Sequence, residues 1–549
     1  MRLRGGPQTR AETGWILTLA LGVGGFTAVV VVDVAARALA LNDDWMYAWD
    51  VRHLVTTRTL LLFPDQQPTS LVHVVWAAII TLGSSDPMAL RLSAAPFLAI
   101  LGFFLWRLSR DAGADRFWAA VATGAALTSP FYLYLAASFH TEVAYLALLM
   151  AAAWSANRWL SGRGGIALTV ALAILATLER QWGIGLALVV PAILLSRRRA
   201  AFRRTDIMGI AALIGGTVAA ATLPLYTGLT TPAMSHAPIV LDLVSITTAL
   251  ATLLRFGPIL GVICIPFLLG FISWRPPQGS RASRIALILG AMGIASAISN
   301  ARGIGALLGI DLASGAGIGP LTSPGQKSPL FAAGTFQVFE VALVATFVIL
   351  LVLRSRLWSV AWKNNTGAIL ISIAGTQLAA ALARGYIDRY MIVIVLPLLP
   401  VLAAEASRVP QPSWAKGWAV ASMATALAAF VAGEQDMLAW QTARDHVARQ
   451  AYALAAPIDV QAGYEPNAVY AEIPYFESTG TTPTKKVNDV YSAWALYGPV
   501  HPAYVLCFAK SGNPMSGENY SSLASGRIVI EKEDGSKPCS QSRAADRGR

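Results

Sequence analysis

Apolar residues run through this chain in long blocks separated by short polar interruptions. A helix crossing a bilayer core needs about 20 predominantly apolar residues. Thirteen blocks approach or reach that length: 14–37, 87–106, 117–136, 139–157, 165–179, 182–196, 207–227, 248–273, 285–301, 335–353, 366–383, 390–406 and 417–433. The fifth and sixth are short. A further stretch at 70–83 suits a helix lying in the membrane interface better than a span. After Gly433 the pattern changes. Gln435–Ala455 reads as an amphipathic helix, Tyr, Pro, Gly and Ser then accumulate, and β-like runs follow at Ala503–Phe508 and Arg527–Glu531. The expected architecture is an all-α polytopic membrane unit over 1–433, with about 13 transmembrane helices and interfacial helices in the first external loop. A small external α/β domain over 434–549 completes it, and its polar end, from about Glu533, is expected to be disordered.

Composition agrees and removes alternatives. Of 549 residues, 55% are apolar and 13% charged, against roughly a quarter charged in an ordinary soluble domain, and the mean hydropathy is +0.55. A soluble enzyme, a disordered chain, collagen and a coiled coil are all excluded. The net charge of +12 does not indicate a nucleic-acid partner, because it collects in alternate polar segments. These are Arg2, Arg4 and Arg10; Arg107, Arg110 and Arg116; Arg158 and Arg163; Arg197, Arg198, Arg199, Arg203 and Arg204; Arg275, Arg281 and Arg284; Arg354, Arg356 and Lys363; and Arg408 and Lys416. Positive charge stays on the cytoplasmic side of a membrane protein. The amino terminus is therefore expected inside and, after an odd number of spans, Glu434 onward outside. Ala38-Leu39-Ala40 imitates a cleavage site, but block 14–37 exceeds a signal-peptide core and reads as an uncleaved anchor. Of three cysteines, Cys264 lies in an apolar run, whereas Cys507 and Cys539 share the tail and could pair if it is external.

Charges beside hydrocarbon cost several kcal/mol unless they pair or act, so the ionisable groups of the external segments are the informative ones. Asn42-Asp43-Asp44-Trp45 follows the first block, His140-Thr141-Glu142 opens the fourth, Glu179-Arg180-Gln181 sits between the fifth and sixth, and Arg384, Asp388, Arg389 and Tyr390 precede or open the twelfth. Two adjacent carboxylates repel, which suits Asp43 or Asp44 to general-base work or metal binding; Asn42 or Asp43 would equally make an ordinary helix N-cap. Asp44 and Glu142 could share a divalent cation such as Mg, Mn or Zn, with His140 as a further ligand, although a lone His at a membrane boundary is more often an interfacial hydrogen-bonder. Arg180, Arg384 and Arg389 are external cations whose planar forks suit phosphate. The alternative is snorkelling, or neutralisation by the neighbouring Glu179 and Asp388. The chain has no P-loop, no His-Glu-x-x-His and no nucleophile elbow. The Gly-rich stretch 303–325 reads as a lid, a re-entrant loop or a passive connector.

In this order the residues resemble the GT-C class of polyprenyl-phosphate-sugar-dependent glycosyltransferases, particularly the bacterial protein O-mannosyltransferase and aminoarabinose-transferase branch. The resemblance spans roughly 10–405 and is carried by Asn42-Asp43-Asp44-Trp45-Met46-Tyr47, Ala89-Leu90-Arg91-Leu92-Ser93, Ser138-Phe139-His140-Thr141-Glu142-Val143, Arg180-Gln181, Asp388-Arg389-Tyr390, and Pro397 with Pro400. Glu142 stands where members often carry Asp, and His140 where Met is common.

The resemblance implies a sugar donor linked to a polyprenyl phosphate in the membrane lipid and an extracytoplasmic glycan, lipid or protein acceptor. Asp43 would be the base, with Asp44 and Glu142 beside it. Arg389, Arg180, Arg384 and Tyr390 would hold the donor phosphate, and transfer would invert the anomeric centre. It also implies a multi-pass protein of the bacterial inner membrane with its active site on the periplasmic side. The rival is a transporter or flippase of lipid-linked sugars, for which the chain shows no paired half-symmetry. A noncatalytic assembly protein is the third class.

Overall fold

The computed structural model describes residues 24–63 apart from 26, 30, 35, 38 and 42, then 69–197, 203–227, 265–267, 313–314, 317–318, 361–384, 388–408, 411–480, 485–487, 490–492, 502–508, 516–521 and 525–532. The expected spans at 285–301 and 335–353, nearly all of 248–273, most of 303–325, and the tail from Glu533 lie outside them.

Helices follow the apolar blocks, with boundaries set by local chemistry. After a helical stretch within 24–34, the following loop contains α1 (Asp44–Thr57) and α2 (Leu71–Ile80), the latter within the stretch 70–83 expected to be helical. Then come α3 (Pro87–Ser93) and α4 (Ala95–Ala112). Asp86 starts α3 by accepting from the Ala89 N–H, with Pro87 in the first turn, and Gly113 at φ 106° stops α4. The block expected at 117–136 is two helices, α5 (Arg116–Leu127) and α6 (Pro130–Ala137). The reason is Pro130, which drives Ser129 into an extended conformation and breaks the run. Next are α7 (Thr141–Leu160), α8 (Ile166–Glu179), α9 (Gly185–Arg197), α10 (Arg204–Thr227), α11 (Asn365–Arg384), α12 (Asp388–Val395), α13 (Leu399–Arg408) and α14 (Ser413–Tyr452). A 3-10 turn at Leu396–Leu398, around Pro397, separates α12 from α13.

The centre of the bundle is α7, which buries Thr141 through Ala153 without interruption. A helix apolar on all sides belongs inside a larger assembly. Two glycines set the close approach of α10 to α8: a Cβ at Gly216 would fall 2.5 Å from Ile174, and one at Gly209 would fall 2.7 Å from Ile166. Among the described residues, three helical stretches are long and apolar enough to cross a membrane, Pro87–Ala112, Arg204–Leu223 and Ser413–Tyr452. Ile166–Glu179 and Gln181–Arg197 are shorter apolar helices.

The bundle has two chemically different ends. At one, the basic turns meet. Arg197 donates to the carbonyl of Lys363 at 2.7 Å, Asn364 donates to the carbonyls of Asp111 and Ala112, and Asn157 reaches the Asp111 carboxylate. There also Trp159 donates to Asp206, and the Asp115 N–H to the Ser407 hydroxyl. This gathering is what the alternation of positive segments predicts. At the opposite end lie α1, α2 and α3, the start of α7 and the end of α8.

Helix α14 runs unbroken through Gly433 and Glu434, so the amphipathic helix expected after the last span is a continuation of that span. Forty residues at 1.5 Å each make roughly 60 Å, about twice a bilayer core. On its second half packs a four-stranded sheet of β1 (Val460–Gln461), β2 (Tyr504–Phe508), β3 (Ser516–Ser521) and β4 (Ser525–Lys532), in spatial order β1-β2-β4-β3. The β1–β2 pair is parallel and the others antiparallel, with Leu506 opposite Ile530. Trp440 of α14 meets Phe508 edge-on at 5.5 Å.

Candidate active site

The first acidic pair divides into two roles. Asp43 occupies the N-cap position of α1, yet its side chain makes no capping bond. Its Oδ1 instead accepts the hydroxyl of Tyr464 at 2.7 Å, from the far end of the chain. Asp44 is anchored. Its Oδ1 reaches back to the Leu41 N–H at 2.8 Å, and its Oδ2 accepts from Arg91 Nε at 3.1 Å and Nη2 at 2.7 Å. Arg91 also donates to the carbonyls of Arg37 and Leu39, tying the loop back to the first helix. Burial pushes the Asp44 carboxyl up from its ordinary range, while the adjoining guanidinium pulls it back.

The second group is built by the start of α7 and the end of α8. Arg180, in extended backbone after α8, places Nη1 2.5 Å from Glu142 Oε1 and 2.9 Å from the Thr141 hydroxyl. The Thr141 hydroxyl also reaches Glu142 Oε2 at 3.3 Å, and His140 Nδ1 lies 3.8 Å from the same oxygen. The adjacent Glu179 is thus not the group that neutralises Arg180. Glu179 turns to α2, where its carboxylate meets His73 Nδ1 at 2.7 Å and accepts the His73 backbone N–H at 3.0 Å. All of these side chains are buried. Neither snorkelling nor pairing with its neighbour describes Arg180.

The two groups adjoin. Tyr47 of α1 sets its ring edge-on to His73 at 5.1 Å and to His140 at 6.2 Å, and Phe139 meets His73 at 4.7 Å. Phe139, Asp44, Arg91, Arg52, Trp45 and Trp49 all border a cavity of about 220 Å³, which Ile473 of the tail helps to line. Late helices reach the same end. Gln377 of α11 accepts from the Tyr145 hydroxyl and donates to the Trp182 carbonyl, beside Arg180. Arg384 ends α11, and Arg389 and Tyr390 stand in the first turn of α12. The side chains of Arg384, Asp388, Arg389 and Tyr390 lie outside the described part of the structure.

The tail covers the site. Trp45, Trp49, Phe63 and Phe476 form an edge-to-face cluster, and Glu477 accepts from Trp49 Nε1 at 3.1 Å and Arg52 Nη2 at 2.8 Å. A buried ion pair, Arg444 to Glu465 at 3.0 Å, fixes the segment beginning at Tyr464 to α14.

A cation shared by Asp44, Glu142 and His140 does not fit this arrangement. Asp44 is turned to Arg91 and Glu142 to Arg180, and among the described residues no three His, Cys, Asp or Glu side chains converge on a metal position. Four contributors escaped the sequence reading: His73, Tyr464, Glu465 and, in its role as partner of Asp44, Arg91. His73 and Arg91 are lone polar residues in apolar runs, which is a signal of sorts. Tyr464 carries none.

No family model matches the chain, and no curated protein matches it. Among solved structures it is similar to ArnT from Cupriavidus metallidurans bound to undecaprenyl phosphate, with 13% identity over 96% of this chain and 99% of that one and a TM-score of 0.37. The apo state of the same protein gives 12% identity over 95% and 98% and a TM-score of 0.32. Likeness of that degree carries no weight for function, which has to come from the side chains.

Proposed function

We propose that this protein is an inner-membrane glycosyltransferase that moves a sugar from a polyprenyl-phosphate donor to the hydroxyl of an extracytoplasmic acceptor. One observation carries the reading: Asp43 and the Glu142–Arg180 pair, from segments far apart in sequence, share the end of the bundle opposite the basic turns. The sorting of Lys and Arg assigns that end to the extracytoplasmic side, where a nucleotide-sugar donor is absent and a lipid-linked one is available.

In the reaction the acceptor oxygen attacks the anomeric carbon as the bond from that carbon to the phosphate oxygen breaks. The acceptor proton passes to Asp43, and the electron pair of the broken bond leaves on polyprenyl phosphate. A single displacement inverts the anomeric configuration. Arg180 together with Arg384, Arg389 and Tyr390 would stabilise the departing phosphate, with Glu142 orienting Arg180. Asp44 serves by holding α1 in place through Arg91.

Purified protein in detergent, given a polyprenyl-phosphate sugar and hydroxyl-bearing acceptors, should release polyprenyl phosphate with formation of a glycosidic bond. Translocation of the donor across proteoliposomes without any transfer would instead establish the carrier.

A further inference from the structure

Asp43 comes from the first loop and Tyr464 from beyond the last span, 421 residues later. Asp43 is 8% exposed and Tyr464 is equally covered, so the 2.7 Å bond is shielded from competing water. Its donor is held from three directions. Gly463, at φ 95°, turns the chain into the short helix Tyr464–Asn467; Glu465 is locked to Arg444 of α14; and the Tyr464 ring stands edge-on to Trp45 at 5.9 Å. A tyrosine needed only to fill space would not require its hydroxyl aimed at a buried carboxylate.

Resting on the proposed reaction, we infer that Tyr464 is a positioning residue for Asp43, making the external domain part of the active centre. A phenol O–H donated to one carboxylate oxygen favours the ionised form and fixes the rotation of the group, so that its other oxygen has a defined direction for taking the acceptor proton. The surrounding charges are already matched, Asp44 with Arg91 and Glu465 with Arg444. Tyr464 adds a neutral donor to Asp43, and it comes from the same tail as Ile473, which helps to line the cavity.

The test uses the purified full chain with a polyprenyl-phosphate sugar, comparing wild type, Tyr464→Phe and Asp43→Asn. Tyr464→Phe keeps the ring and removes the hydroxyl. It should keep the fold and the donor KM, lower the melting temperature by no more than the loss of one buried hydrogen bond, lower kcat about tenfold and move the acid limb of the kcat profile to higher pH. Site-specific 3,5-difluorotyrosine at 464, a stronger donor of the same shape, should move that limb to lower pH, and this second arm decides if Tyr464→Phe fails to fold. An unchanged kcat and an unmoved limb while Asp43→Asn is inactive would overturn the inference alone. Absence of transfer by the wild type, or full transfer by Asp43→Asn, would overturn the underlying reaction instead.

Discussion

Asp43 and Asp44 are neighbours in sequence with opposite fates. The second is tied to Arg91 in a buried ion pair, and removing one partner of such a pair typically costs about 3–5 kcal/mol, because the remaining charge is left uncompensated. Arg91→Met should therefore lower the melting temperature sharply, whereas Arg91→Met combined with Asp44→Asn should recover part of the loss. Additive effects in that cycle would show that the pair is not coupled. The sequence pointed to Asp43, Asp44, Glu142 and Arg180 because a charge in an apolar setting is costly and so has a reason to be there. It did not show the partners. Glu179 is adjacent to Arg180, but residues 179 and 180 straddle the end of α8, and the change to extended backbone there sends the two side chains to different neighbours. Tyr464 was illegible because nothing in a tyrosine among prolines and glycines marks it as the partner of an aspartate in the first loop.

At the scale of elements, hydropathy located the helices well wherever one apolar block makes one helix, as in α8 and α9. It failed where a local signal overrides the block. Pro130 divides what reads as one span into α5 and α6, and Pro397 lies in the turn between α12 and α13. The opposite failure occurs in α14, where the change from apolar to amphipathic composition leaves the backbone uninterrupted, since amphipathicity alters which faces are buried and not whether the helix continues. The β-like runs at 503–508 and 527–531 emerge as Tyr504–Phe508 and Ser525–Lys532. Helix contacts also yield a test. Gly216 faces Ile174 of α8, while Gly215 has nothing within 4 Å of its Cβ position. Gly216→Leu should force the helices apart and destabilise by roughly 1–3 kcal/mol. Gly215→Ala should be neutral or stabilising by up to about 1 kcal/mol. Equal melting temperatures for the two variants would contradict the packing described for α8 and α10.

For the whole molecule, the distribution of charge is the most legible feature. Among the described residues the basic turns gather at one end and the Glu142–Arg180 and Asp44–Arg91 pairs at the other, a separation the sequence announces because the membrane sorts Lys and Arg by side. What the alternation could not reveal is that the C-terminal tail packs onto α1, through Tyr464 on Asp43 and Glu477 on Trp49 and Arg52. Orientation is directly testable in cells. Leu454, 52% exposed after α14, replaced as Leu454→Cys should react with a membrane-impermeant maleimide added from outside. Gly162→Cys, in the exposed turn between α7 and α8, should react only after the membrane is opened. The reverse pattern would put the site in the cytoplasm and remove the case for a lipid-linked donor. The most direct measurement of the central claim is sugar transfer by purified Asp43→Asn beside wild type at equal amounts of folded protein. The account predicts polyprenyl phosphate release by the wild type and loss of at least a hundredfold in the variant; undiminished transfer by Asp43→Asn would contradict it.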